Sequence, residues 1–488
     1  MAIDVSVDGG GPTISPHIYG HFIEHLGGVI YDGIWVGPRS RIPNVGGIRK
    51  AFIDDMKRIG APNLRWPGGC FADGYHWRDG IGGKRAKTYN YWQTQMPEGT
   101  DATEPNQFGT HEFMQLCKLV GAEPYLAANV GSSMPQEFYD WVSYCNAPAG
   151  TLSLADERAA NGDQIPFNVR FWGVGNESWG CGGRMTPAEY AALYRKFTAQ
   201  VPGYKQPFLI ACGPRGHSAD MDIGWTTGFF EAMAGTRAAV PDGFAVHYYT
   251  DFRPTSVKGE SSTEKEWSDV LASGIRVESV IEKHWAAIHK FDPQHRTKLV
   301  IDEWGTWYSQ GQKVAPSYIL SQVMTLRDAV HAAMTFDIYN RHADKIAMTN
   351  IAQTINCLHS LFAAREDKYV RTPVFYVFEM YRKHMGARLV ALKVAASGIS
   401  GSASVRDKSA LITLTNATTA ESMPAKIRLN GVKEARATVL THESIQATNT
   451  FEQPEEVKPV KINVSTQNDG LTLTIPPRAV VAIEAVLS

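Results

Sequence analysis

Two stretches of this chain climb through apolar residues and end on a carboxylate. In "VRFWGVGNESWGCGG", residues 169–183, Glu177 follows Phe171, Trp172, Val174 and Asn176 and precedes a Gly-rich turn. In "KLVIDEWGTWY", residues 298–308, Glu303 closes a similar run and is followed by Trp304 and Trp307. Either glutamate alone would most simply partner an arginine or a helix N-terminus. As a pair they suit glycoside hydrolysis, in which one carboxyl protonates the leaving oxygen while the other attacks the anomeric carbon or activates water. Desolvation beside Trp172 and Trp179, with the negative charge of Glu303 nearby, would hold Glu177 in its acid form near neutral pH.

Other residues could serve such a pair. Arg65 in "LRWPGG" can keep a carboxylate ionised through a charge-assisted hydrogen bond, and Pro67-Gly68-Gly69 would turn the chain sharply behind it. A structural salt bridge is an equal alternative for that arginine. His247 and Tyr249 stand two apart in "FAVHYY" and would share one strand face. A packed core histidine is the plainer reading of His247. Trp307 lies four residues beyond Glu303 and would either wall a pocket or pack in the core.

One pattern points elsewhere. "HFIEH", residues 21–25, matches the H-x-x-E-H zinc-peptidase signature. That chemistry needs a helix, and Pro16, Gly20, Gly27 and Gly28 leave room only for a short strand. On a strand His21 and His25 would stand about 13 Å apart, too far to share an ion.

These residues need a frame that gathers strand ends. Eight strands are expected at 18–24, 63–68, 124–130, 169–177, 208–213, 244–249, 298–304 and 346–353, alternating with amphipathic stretches. Helix signals include "TPAEYAALYRKF", with Thr186 as N-cap, Pro187 at the first position and Glu189 closing a capping box. "AFIDDMKRIG" and "GTHEFMQLCKLVG" both end at glycine. Several strands finish on polar residues: Glu24, Arg65, Asn129, Glu177, His247, Glu303 and Gln353. A (β/α)8 TIM barrel converges such ends on one face, whereas an open doubly wound sheet would call for a G-x-G-x-x-G that does not follow the first strand. The expected division is a barrel over 17–384, an antiparallel β-sandwich over 385–488, and an N-terminal strand within 1–16 that joins the sandwich.

Composition is compatible with this and excludes little else. Lys+Arg (48) and Asp+Glu (49) nearly cancel, so no global field points to nucleic acid or an anionic membrane. Six cysteines, with no C-x-x-C pair, argue against a disulfide scaffold or structural zinc. No run reaches the ~18 apolar residues of a membrane span, and the first residues lack a basic and apolar leader. A cytoplasmic protein is expected, with secretion after loss of a leader as the alternative.

The motifs "IYGHFIEHLGGVIYDGIW", "LRWPGGCFADGYHWRDGIG", "EPNQFGTHEFMQLC", "FWGVGNESWGCGGRMTPAEYA", "AVHYY" and "IDEWGTWY" together resemble the family 51 glycoside hydrolases, mostly α-L-arabinofuranosidases. The resemblance spans the barrel almost end to end. It implies Glu177 as acid/base and Glu303 as nucleophile of a retaining, exo-acting enzyme that releases arabinose from arabinan or arabinoxylan side chains, without metal or cofactor. It further implies Asn176 on the sugar 2-OH, Arg65 and Tyr249 beside the nucleophile, Glu24 and Gln353 on furanose hydroxyls, and His247, Trp307 and Trp92 lining the pocket. Cys70 stands where many members have Asn after "PGG", which alters one sugar contact. The partner is then an arabinofuranosyl carbohydrate; a homo-oligomer is common among members, although no stretch here marks an interface. Endo-action on β-1,4-glucan or xylan and non-catalytic sugar binding are the rival readings. Cys70 and Cys181 should both reach the catalytic face, either bonded to each other or as two unrelated thiols. The segment between Trp92 and "PNQFG" looks long and should lie at the mouth of the site.

Overall fold

Eight apolar runs become parallel strands that close on themselves: Gly20–Phe22, Asn63–Trp66, Glu123–Ala128, Phe171–Val174, Phe208–Ala211, Gly243–Phe252, Lys298–Tyr308 and Ile346–Ile351. The ring closes where Asn350 and Ile351 pair with Gly20 and His21. This computed structural model describes residues 1–6, 10–92, 102–215, 222–252, 263–308, 318–467 and 470–488. The long segment after Trp92 therefore falls largely outside the described residues.

All eight expected strands form, with different ends. Ile18 and Tyr19 belong to a 3-10 turn, Pro16–Tyr19, so the first strand starts later than its apolar residues suggest. The sixth and seventh strands run longer than expected because they pair with each other along their length, His247 opposite Glu303 and Phe252 opposite Tyr308. Tyr125, Phe171, Ile210, Ala245, Val300 and Met348 pack together as the plug of the barrel interior.

The pleat corrects one expectation. Trp172 does not sit beside Glu177: its ring packs at 5.6 Å from both Phe138 and Trp141 in the helical layer. Trp304 likewise turns to Phe336 and Tyr339, at 5.3 and 5.5 Å. Successive strand residues face opposite sides, so a tryptophan next in sequence to an inward group faces out.

The helix Pro187–Thr198 forms as its sequence signals require, with Thr186 accepting from the Glu189 amide and the Glu189 side chain accepting from the Thr186 amide. The helices Lys50–Ile59 and Thr110–Val120 stop at Gly60 and Gly121, both left-handed.

Beyond the barrel lies a ten-stranded sheet system with its own core, in which Ile3, Ile412, Leu414, Ile427, Ile475 and Ile483 are fully buried. It forms a β-sandwich of mostly antiparallel strands. The strand Ala2–Ser6 inserts between Arg388–Val394, antiparallel, and Met423–Arg428, parallel. That parallel pair departs from the all-antiparallel expectation: Ala2–Ser6 is joined to Met423–Arg428 by the whole barrel and not by a hairpin, so nothing local imposes an antiparallel sense. The seam is polar: Asp337 of the helix Leu326–Arg341 accepts from Tyr381, Ser400 and Ser402.

The Thr186 cap closes the chain segment that leaves Glu177. Thr186→Ala should cost about 1 kcal/mol of local stability, seen as faster amide exchange confined to the first turn of Pro187–Thr198. Exchange rates there equal to those of the parent would show that the cap is not holding this turn.

Candidate active site

The strand ends place most of the expected residues around one buried guanidinium. Arg65, at the end of the second strand, is 1% exposed and lies over the Phe22 ring at 4.5 Å. Its Nη1 donates to Glu303 Oε1 at 2.7 Å and its Nη2 to Asn176 Oδ1 at 2.7 Å. Its Nε faces Asp302 Oδ2 at 3.4 Å. Burial opposes its charge, but Asp302 and Glu303 outweigh burial and hold the guanidinium firmly protonated.

Glu303 is gripped from the other side. Tyr249 donates from its hydroxyl to Glu303 Oε2 at 2.7 Å. Burial and then the Glu303 charge push that phenol well above its ordinary pKa, so it stays a donor. His247 Nδ1 lies 3.0 Å from Glu177 Oε1 and 3.5 Å from Glu303 Oε2, while its Nε2 lies 3.1 Å from Asp302 Oδ1. Burial alone would lower the His247 pKa; the surrounding carboxylates Glu303, Asp302 and Glu177 instead raise it to about 10. The ring is therefore an imidazolium that bridges three acids. Irregular register between Ala245 and His247, and between Ile301 and Trp304, accompanies this convergence; such bulges re-aim side chains beside active sites.

Glu177 occupies a turn with φ of 38°, a left-handed conformation that costs a non-glycine residue about 1 kcal/mol or more. The turn is locked from behind: a Cβ on Gly182 would stand 2.0 Å from the Asn176 carbonyl oxygen. Cys70 and Cys181 are bonded, with Cα atoms 5.6 Å apart. Their sulfurs lie 3.9 and 3.8 Å from Glu177 Oε2.

A second pocket wall is built on Glu24. Its Oε1 accepts from the Gly69 and Phe71 amides at 3.0 and 3.1 Å and from Trp92 Nε1 at 3.3 Å, and its Oε2 from Gln353 Nε2 at 2.8 Å. Burial, reinforced by the Glu303 charge, raises its pKa to about 7. Gly69 is obligatory here, since a Cβ would approach Glu303 Oε1 to 2.6 Å. Trp307 packs edge-on to Tyr249 at 5.1 Å.

Asn129 does not join the group; its amide serves the Tyr75 carbonyl and Ser132. His21 and His25 face different neighbours, the ring of Phe378 and the pair Glu104 and Trp66. Two residues were missed by sequence reasoning. Asp302 is held near pKa 2, since burial is overcome by Arg65 and His247, and it also accepts from Tyr125 at 2.7 Å. Its only sequence signal is its position directly before Glu303. Asp73 is buried under the Asn176–Glu177 turn, and burial drives its carboxyl well above the usual range. Among the described residues, the side chains close enough to share a cation are Cys70, Glu177 and Cys181, and Glu177, His247 and Glu303.

Residues 55–251 match the α-L-arabinofuranosidase 1 domain and residues 302–479 the α-L-arabinofuranosidase C-terminal domain. An intracellular exo-α-L-arabinofuranosidase of Bacteroides ovatus is 36% identical, with 99% of this chain and 95% of that protein covered. The chain belongs to glycoside hydrolase family 51. A family 51 arabinofuranosidase structure from Xanthomonas axonopodis pv. citri superposes with a TM-score of 0.91 at 35% identity, covering 99% of each chain. The Thermotoga maritima α-L-arabinofuranosidase, solved with arabinose, gives a TM-score of 0.86 at 28% identity over the full length of both.

Two outcomes follow for this family 51 site. Arg65→Lys cannot meet Glu303, Asn176 and Asp302 together, so kcat/KM on an aryl α-L-arabinofuranoside should fall at least about 10²-fold, the scale of a broken buried ion pair. A near-normal value would remove Arg65 from the centre of the site. For Glu24, the folded-state pKa is raised, so its stabilisation is complete below about pH 4.5 and is lost as pH rises through about 7. The melting temperature of Glu24→Gln minus that of the parent should therefore increase from pH 5 to pH 8. A flat difference would show that Glu24 does not titrate in this window.

Proposed function

We propose that this protein is a retaining, exo-acting α-L-arabinofuranosidase that uses Glu303 as nucleophile and Glu177 as acid/base. The observation that carries the reading is that oxygens of Glu177 and Glu303 approach within 4.8 Å of one another around His247. Retaining enzymes hold their carboxyl groups about 5–5.5 Å apart, whereas inverting ones leave about 6.5–9.5 Å for a water.

Arg65 and Tyr249 each donate to one oxygen of Glu303 and so fix and aim its carboxyl group, as a nucleophile requires. Glu303 attacks the anomeric carbon while Glu177 gives its proton to the departing oxygen. The resulting glycosyl ester is then hydrolysed by a water that Glu177 deprotonates. His247 donates to Glu177 Oε1, which leaves Oε2 as the oxygen that carries the transferable proton. Asn176, oriented by Arg65, is placed to bind a sugar hydroxyl, and Glu24 and Gln353 form a polar floor suited to the other furanose hydroxyls. Trp92 and Trp307 supply apolar walls, and Cys70 lies at the rim beside Glu177. The polymer is an arabinofuranosyl carbohydrate such as arabinan or arabinoxylan. The intracellular relative in Bacteroides ovatus supports a cytoplasmic location; among the described residues no helix is long and apolar enough to cross a membrane.

The roles separate by azide rescue. Glu177→Ala should still form the ester from an aryl arabinofuranoside with a good leaving group and then stall, and azide should restore turnover to give a glycosyl azide of retained α configuration. Glu303→Ala should give the inverted β azide. The configuration is read by NMR; the opposite pairing would exchange the roles, and wild-type activity of both variants on an arabinoxylan oligosaccharide would sink the site.

A further inference from the structure

The sulfur pair beside Glu177 has no part in the double displacement, yet it touches the oxygen that carries the transferable proton. Cys70 Sγ and Cys181 Sγ both face Glu177 Oε2, at 3.9 and 3.8 Å. Cys181 is exposed and Cys70 half-buried, so the bond lies open to a small reductant. The four remaining cysteines, Cys117, Cys145, Cys212 and Cys357, are buried away from solvent.

We propose that reduction of this bond creates a site for a soft divalent cation, bound by Cys70, Cys181 and Glu177, and that occupation of the site switches the acid/base off. The geometry is close to what such an ion requires. With metal–sulfur bonds of about 2.3 Å and a metal–oxygen bond of about 2.1 Å, tetrahedral angles put each sulfur about 3.6 Å from the oxygen and the two sulfurs about 3.8 Å apart. Both sulfur–oxygen distances are already near that value. The sulfurs need only part, and Cys181 sits in the Gly180-Cys181-Gly182-Gly183 loop, whose outer side is exposed.

The chemistry balances. A dithiol reductant exchanges with the disulfide, leaving two protein thiols and its own cyclic disulfide. Zinc or cadmium then displaces both thiol protons and the proton on Glu177 Oε2 to solvent and takes the resulting carboxylate as third ligand, with the fourth position left to water. A carboxylate bound through Oε2 can neither carry nor accept the catalytic proton. In a reducing compartment, where thiols are kept free, the dithiol is the resting form. The enzyme would then read the availability of thiophilic metal. The inference rests on the acid/base assignment of Glu177 for its consequence, but not for the binding site itself.

The test compares the oxidised enzyme with enzyme reduced by dithiothreitol and desalted without air, each titrated with cadmium. The reduced enzyme should gain a thiolate-to-cadmium charge-transfer band in the ultraviolet that saturates at one ion per chain, and should lose at least about tenfold in turnover of an aryl arabinofuranoside as it does so. The oxidised enzyme should show neither change, and reduced Cys181→Ser should lose the band. The band reports the site whether or not arabinofuranosides are the substrate and whether or not reduction alone slows turnover. Equal inhibition of the oxidised enzyme would place the ion on Glu177, His247 and Glu303 instead and overturn the proposal, as would a band that persists in Cys181→Ser.

Discussion

The Arg65 guanidinium organises this molecule. It is buried, planar and permanently charged, and its three nitrogens meet Asp302 and Glu303 of the seventh strand and Asn176 in the turn just past the fourth. A charge so placed is tolerable only when fully paired. Strands two, four and seven are therefore tied together at their C-terminal ends, and the residues next to those ties inherit fixed positions. Glu177 follows Asn176 directly, and Glu303 is itself a partner. The flat faces of Phe22 and Tyr125 beneath the guanidinium fix its tilt. Lysine would offer charge without this fork, which is why the residue type matters and not only its sign.

Around that centre the same fold assigns different proton states to acids only a few ångströms apart. Asp302 sits between two cations and stays ionised near pKa 2. Glu24 has backbone amides and a carboxamide but no cation in contact, so burial and the charge of Glu303 carry it to about 7. Asp73 is buried with no cation in contact, and burial raises its carboxyl well above the usual carboxylate range. Local pairing therefore determines the charge state of each group. Carboxyls that differ this much in how firmly they hold a proton, set side by side, are the arrangement that acid–base chemistry uses.

The barrel was legible because its signals are periodic and local. Eight apolar runs of strand length, glycine stops and the Thr186 capping box each act over a few residues. The convergence of Glu24, Arg65, Asn176, His247, Glu303 and Gln353 followed from one rule, that strand ends of a barrel share a face. What escaped was set by contacts distant in sequence. Trp172 was misplaced because nearness in sequence was taken for proximity, while the pleat sends neighbours to opposite sides. Asp302 was overlooked for the same reason, since alternation on a regular strand would have turned it away from Glu303; the irregular register before Trp304 lets both reach the centre. The parallel pairing of Ala2–Ser6 with Met423–Arg428 spans most of the chain, and no local pattern encodes it.

The turn that carries Glu177 shows how the rigid centre holds a residue at its rim, where the proposed mechanism asks it first to give a proton and then to take one. Its left-handed backbone is an expense that the surroundings enforce: Gly182 closes against the Asn176 carbonyl, the Ser178 amide meets Cys212, and the Cys70–Cys181 bond ties the far side to the turn after strand two. Of these restraints only the last is chemically reversible. The others are packing and hydrogen bonds that persist in any redox state, so cleavage of the bond leaves the turn anchored on its inner side and frees the outer one. Glu177 thereby sits at the boundary between a fixed interior, where His247 holds Oε1, and a rim where the environment of Oε2 changes with the state of two sulfurs. A structural disulfide would ordinarily be sought where it closes a loop in a small core. Here it joins residues 111 apart in sequence and lies against Glu177 Oε2, so one bond both closes a long loop and borders the site.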